Sequence, residues 1–97
     1  MPYLGYKMMK EKLYTIEEII KQILISKFEI KPALLTDISP DTPLLGRGIG
    51  LDSIEAMALV AAIEKEFDIE ISDNELTVDL VKSIGTLTEH VLKKITG

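Results

Sequence analysis

Apolar residues along this 97-residue chain recur at helical spacing in three places. After Thr15, the residues Ile16, Ile19, Ile20, Ile23 and Leu24 return every three or four positions and predict one amphipathic helix ending near Phe28. After Thr86, Leu87, Val91, Leu92 and Ile95 predict another, and between Ser72 and Ser83 the residues Leu76, Leu80 and Val81 suit a short third helix. Start signals agree with these stripes. Thr15-Ile-Glu-Glu18, Ser72-Asp-Asn-Glu75 and Thr86-Leu-Thr-Glu89 each have the capping-box spacing, in which a hydroxyl and a glutamate satisfy helix-end N–H groups reciprocally. Asp52-Ser-Ile-Glu55 is the acidic form of the same signal. No stretch alternates in the manner of a strand, so the predicted class is all-α, with four helices.

The helix that follows Asp52 differs from the others because it is apolar on two sides. At about 100° per residue from Ile54, the residues Ala56, Leu59, Val60, Ile63 and Phe67 gather on one face, which predicts a core stripe. Ile54, Met57, Ala58 and Ala61 gather on nearly the opposite face, with Glu55 and Glu66 along one flank and Glu64 along the other. One small bundle cannot easily bury both faces of so short a helix. An apolar strip framed by acids has the makeup of a docking surface, where charge steers the encounter and the apolar centre makes the contact; cover by a neighbouring helix or by the N-terminal residues is the alternative.

The connection from Glu29 to Leu51 exceeds the length of an ordinary turn between helices, and such loops are usually functional or contain short structure of their own. Pro32, Pro40 and Pro43 with Gly46, Gly48 and Gly50 punctuate it, while Ile30, Leu34, Leu35, Ile38, Leu44 and Leu45 can pin it to the core, which predicts an ordered strap. Residues 1–12 precede the first cap and read as a flexible leader ahead of a single domain over residues 13–97. Tyr3, Tyr6, Lys7, Lys10 and Lys12 in that leader are available to a partner or an acidic surface.

Charge narrows the partners. Residues 1–31 carry a net +2 and residues 32–97 a net −7, for −5 in all. The stretch from Leu44 to Leu76 sets Arg47 and Lys65 against eight acids, so it repels nucleic acid and anionic membranes and attracts basic protein surfaces; solubility alone is the plainer account of an acidic face. The longest unbroken apolar run, Ala56 to Ile63, falls far short of a membrane span, and the start of the chain has no apolar block of the secretory kind, which predicts a cytoplasmic protein without membrane insertion. There is no cysteine, hence no thiol in the polypeptide itself. His90 is the only histidine, placed between Glu89 and Val91 in the last helix, and the carboxylates from 52 to 75 lack a His or Cys partner. The residues therefore offer no metal set and no nucleophile with a base, and the chain reads as a non-enzyme.

Ser53 stands one step inside its helix, where unpaired N–H groups and the helix dipole favour an anionic ester, although Asp-Ser at a helix start is common for capping reasons alone. The surrounding run, "GIGLDSIEAMALVAAIEKEFDIEIS", resembles the acyl carrier protein family around its attachment serine: a glycine-containing loop, Asp-Ser-Ile, a helix closing in Glu-x-x-Phe and an Ile-x-Ile run. The resemblance extends from about Thr15 to Ile95 and includes helix order and the long first connection. It implies a four-helix bundle of acyl-carrier type with a long ordered loop between the first two helices and a short third helix. It also implies 4'-phosphopantetheine joined through a phosphodiester to Ser53, beside Asp52, with the arm supplying the thiol that the chain lacks.

The same resemblance matches Asp52, Ile54, Glu55 and Met57 to the family's partner-recognition region, and the helical wheel adds Ala58 and Ala61 to the partner-binding face. The partners the resemblance implies are a phosphopantetheinyl transferase and the acyl ligases, synthases and acyltransferases of fatty-acid, lipid or polyketide pathways that have basic docking patches; the acidic helix itself predicts a monomer between encounters. Ala58 stands where the typical fatty-acid carrier has an acid, and Lys65 interrupts the acidic run, which suggests a specialised member. An aminoacyl or peptidyl carrier is the alternative within the resemblance. A helical adaptor that uses the same apolar strip without modification is the alternative outside it.

Overall fold

The computed structural model describes residues 2–36 and 38–97; Met1, Asp37 and the side chains of residues 2–4 and 6, Tyr3 and Tyr6 among them, lie outside the described residues. Among the described residues four helices follow one another: α1 (Pro2–Phe28), α2 (Pro32–Thr36), α3 (Ser53–Phe67) and α4 (Ile84–Thr96). No strand occurs among the described residues, only two isolated bridges, Pro43 with Ser83 and Leu45 with Leu51.

α1 packs along α4 and, over a shorter stretch, along α3. Its expected stripe supplies Ile16, Ile20, Ile23 and Leu24 to the core, with Ile19 half-buried beside them. Its start is not where the capping pattern placed it. The helix continues N-terminally to Pro2, so residues 2–12 are helical and continuous with the rest, and the Thr15 hydroxyl donates to the Glu11 carbonyl one turn back (2.9 Å) instead of capping. At the other end Glu29 takes a left-handed conformation (φ 56°) and the Ile30 N–H reaches back to the Leu24 carbonyl at 3.2 Å, which turns the chain out of the helix ahead of Pro32.

The long connection is an ordered strap, and α2 lies within it. Pro32 opens α2 in a position where its missing N–H costs nothing. Leu35 and Leu44 are buried and Ile30, Ile38 and Leu45 pack against the core, whereas Leu34, expected as a further pin, is 56% exposed.

The expected short helix between Ser72 and Ser83 is a pair of turns. Bonds of the i to i+3 kind run from the N–H of Glu75 to the Ser72 carbonyl, of Leu76 to Asp73 and of Leu80 to Thr77, and Leu80 and Val81 still turn inward. Side chains compete with the helical ladder here. The Leu80 N–H also donates to Thr77 Oγ1, and the Ser72 N–H and hydroxyl both donate to Glu75 Oε2 at 2.9 Å.

α4 starts three residues earlier than the Thr86 signal. Ser83 is its cap, accepting from the Thr86 N–H, while the Ser83 N–H donates to the Thr86 hydroxyl, so threonine takes the place that the sequence pattern reserves for Glu or Gln. The strap is tied to this entrance: the Leu44 N–H donates to the Lys82 carbonyl (3.1 Å) and the Gly85 N–H to the Pro40 carbonyl (2.9 Å). Gly85 lies so close to Pro40 that a Cβ there would meet its carbonyl oxygen at 2.9 Å.

Candidate functional site

The segment from Pro43 to Asp52 brings Ser53 to the entrance of α3 on a short framework of backbone bonds. The Ile49 N–H donates to the Pro43 carbonyl (2.8 Å), the Leu51 N–H to the Leu44 carbonyl (2.9 Å) and the Gly46 N–H to the Leu51 carbonyl (3.3 Å). Leu44, Ile49 and Leu51 anchor it in the core. Gly46 and Gly50 have φ of 62° and 95°, a region that side chains rarely adopt, and Gly48 passes directly over Pro43. These glycines are what the tight path requires.

Asp52 caps α3 as its spacing predicts. Its Oδ1 accepts from the Glu55 N–H at 2.7 Å, and Glu55 Oε1 accepts from the Asp52 N–H at 3.1 Å, completing the reciprocal box. Ser53 is the first residue of the helix. Its side chain is exposed, and its hydroxyl makes no hydrogen bond among the described residues. The first N–H groups of any α-helix lack an intrahelical acceptor and give that end a partial positive charge.

The two faces of α3 separate as the wheel predicts. Ala56, Leu59, Val60 and Ile63 are buried and Phe67 packs against the core. Ile54 is 80% exposed and Met57 52%, with Ala58 and Ala61 exposed beside them. Among the described residues no other helix covers this strip. Glu55 stands half-buried at its start and Glu66 is exposed further along, but Glu64 is committed elsewhere, its Oε2 accepting from the Ile71 N–H at 2.9 Å. It serves the fold more than the rim.

A second polar cluster joins the turn at Ser72 to α4, and sequence reasoning missed it. Glu75 Oε1 stands 2.8 Å from His90 Nε2 and 2.7 Å from Lys94 Nζ, with the two Ser72 bonds on its other oxygen. The Lys94 ammonium, then the Ser72 N–H, then the Ser72 hydroxyl and His90, together hold the Glu75 carboxyl down at about 2 despite a partial desolvation that opposes them. The available signal was the placing of His90 and Lys94 one turn apart on the same helix face. Nothing local to Glu75 announces that pairing. Among the described residues no three His, Cys, Asp or Glu side chains come together as a metal set. No helix of the described chain is long and apolar enough to cross a membrane.

An exposed, unbonded serine hydroxyl at a helix entrance fits a phosphodiester linkage: the oxygen is reachable by an incoming phosphoryl donor and the helix end favours the resulting anion. Comparison with known proteins points the same way. Residues 18–91 match the family model described as a phosphopantetheine attachment site. The chain is similar to the acyl carrier proteins of three strains of Buchnera aphidicola subsp. Acyrthosiphon pisum, Tuc7, APS and 5A. Each is 40% identical over 81 residues, which cover 81% of this chain and 96% of the relative. The chain thus belongs to the acyl carrier protein family, whose members bear acyl groups on a covalently attached 4'-phosphopantetheine.

Proposed function

We propose that Ser53 is the attachment point of the arm and that this protein presents acyl thioesters to enzymes of a fatty-acid, lipid or polyketide pathway without catalysing a step itself. The observation that carries the reading is the exposed, unbonded hydroxyl at the first position of α3, beside the uncovered strip of Ile54, Met57, Ala58 and Ala61. A transferase must reach that oxygen, and an apolar strip next to it gives visiting enzymes a place to sit. Asp52 shapes the entrance by capping, and Glu55 adds negative charge at the near end of the strip, complementary to the basic patches of a phosphopantetheinyl transferase and of acyl ligases, synthases and acyltransferases. The working unit is residues 13–97, with the first turns of α1 an addition to it.

Co-expression with a phosphopantetheinyl transferase followed by intact mass tests the assignment. The parent chain gains one arm and Ser53→Ala gains none. A gain that survives in Ser53→Ala, or its absence from the parent, refutes it. In the latter case, partner binding that persists through the strip favours the adaptor reading.

A further inference from the structure

Arg47 is the only cationic side chain between Pro32 and Glu64. It is exposed and makes no ion pair or hydrogen bond among the described residues. Its place in the fold is fixed by the framework that carries Ser53. Leu45 and Leu51 pair in the parallel sense, so Arg47 and Ser53 each lie two residues beyond the same bridge, and the Gly46 N–H bond to the Leu51 carbonyl holds the two segments together there.

The nearest acids in sequence to Ser53 do not claim the guanidinium. The Asp52 and Glu55 carboxylates are each turned to a backbone N–H of the capping box. A phosphodiester on Ser53 would add a further negative charge next to these two. Like charges so close disfavour one another, and no cation within α3 offsets them nearby, since Lys65 lies twelve residues further along, about 18 Å at the rise of an α-helix. Arg47 lies on the turn that the Leu45–Leu51 bridge ties to this entrance, and a guanidinium suits phosphate oxygens by its planar fork of donors.

We propose that Arg47 is a positioning residue for the arm, pairing with the phosphate on Ser53 and restraining the first part of the arm at the entrance of α3. The proposal rests on the Ser53 reading above. Its effect is local: the phosphate end is held, and the distal, acyl-bearing end keeps its reach.

The test uses the arm-bearing forms of the parent, Arg47→Gln, Arg47→Lys and Lys82→Gln, prepared with a labelled arm and checked by intact mass. The ³¹P resonance of the phosphodiester is followed from low to high salt, and the heteronuclear NOE of the arm amide nearest the phosphate is measured. In the parent, the resonance moves with salt, because an exposed pair is screened, and the amide is more ordered than the one nearer the thiol. Arg47→Gln abolishes the salt dependence and lowers the NOE to that of the distal amide. Arg47→Lys restores part of both. Lys82→Gln, at the exposed residue just ahead of the α4 cap, behaves as the parent. An Arg47→Gln spectrum matching the parent's, or an equal loss in Lys82→Gln, overturns the proposal while leaving the attachment at Ser53 standing. A parent chain that gains no arm overturns both.

Discussion

Alanine at Gly48 tests how the path of the strap presents Ser53. A Cβ built there would lie 1.8 Å from the Pro43 carbonyl oxygen, 2.6 Å from its carbonyl carbon and 3.0 Å from its Cα. All three atoms are backbone, so no rotamer change relieves the overlap, and the crossing of residues 43 and 48 has to open. The Ile49 N–H bond to that same Pro43 oxygen goes first, and the Leu51-to-Leu44 and Gly46-to-Leu51 bonds are lost with it. At about 1 kcal/mol for each net backbone bond, their loss amounts to roughly 3 kcal/mol, from which the reduced freedom of the unfolded alanine chain returns about 0.4–1 kcal/mol. Gly48→Ala is therefore destabilised by about 2–3 kcal/mol, a fall in Tm of roughly 10–20 °C for a domain of this size. Urea denaturation followed by far-ultraviolet circular dichroism measures it, and the rate at which the transferase modifies the variant reports on the entrance directly; both fall. Gly5→Ala is the control, since nothing lies within 4 Å of a Cβ there and helix propensity alone favours alanine. A Gly48→Ala protein within about 0.5 kcal/mol of the parent, modified at the parent rate, refutes the argument.

Two further predictions concern the rest of the bundle. The Thr88 hydroxyl is buried with no hydrogen-bond partner among the described residues, so Thr88→Val, nearly the same shape without the polar atom, raises stability by about 1 kcal/mol; a loss in urea denaturation would show that the hydroxyl has a partner after all. The Glu75 carboxyl titrates at about 2 instead of 4.5. A lowered folded-state value means that its stabilisation is complete above about 4.5 and disappears as the pH falls toward about 2. Glu75→Gln removes that share, so the stability difference between parent and variant shrinks across this window. A difference that stays constant with pH contradicts the role given to Lys94, Ser72 and His90.

Interactions within a few residues were legible in the chain, because their partners lie side by side in it. The two apolar faces of α3 follow from the helical period, and the Asp52–Glu55 box from a spacing of three; both appear where the wheel and the capping rule put them. The same reasoning failed where a local signal had a stronger competitor. The pattern at Thr15 marks no boundary, since the helix already runs through it from Pro2, and Thr86 fills the third place of a cap that Ser83 begins.

The turn region of residues 72–83 draws on partners far along the chain as well as on its own side chains. Glu75 has the spacing of a helix-capping residue, but its carboxylate also meets His90 and Lys94 across the fold, which no period in the sequence reveals. The approach of Gly48 to Pro43 and of Gly85 to Pro40 belongs to the same class: two backbones close enough to exclude a methyl group, where the sequence shows only glycines and prolines. Periodicity reports which face of an element is apolar, and only the assembled tertiary structure determines what that face, or a charge beside it, meets.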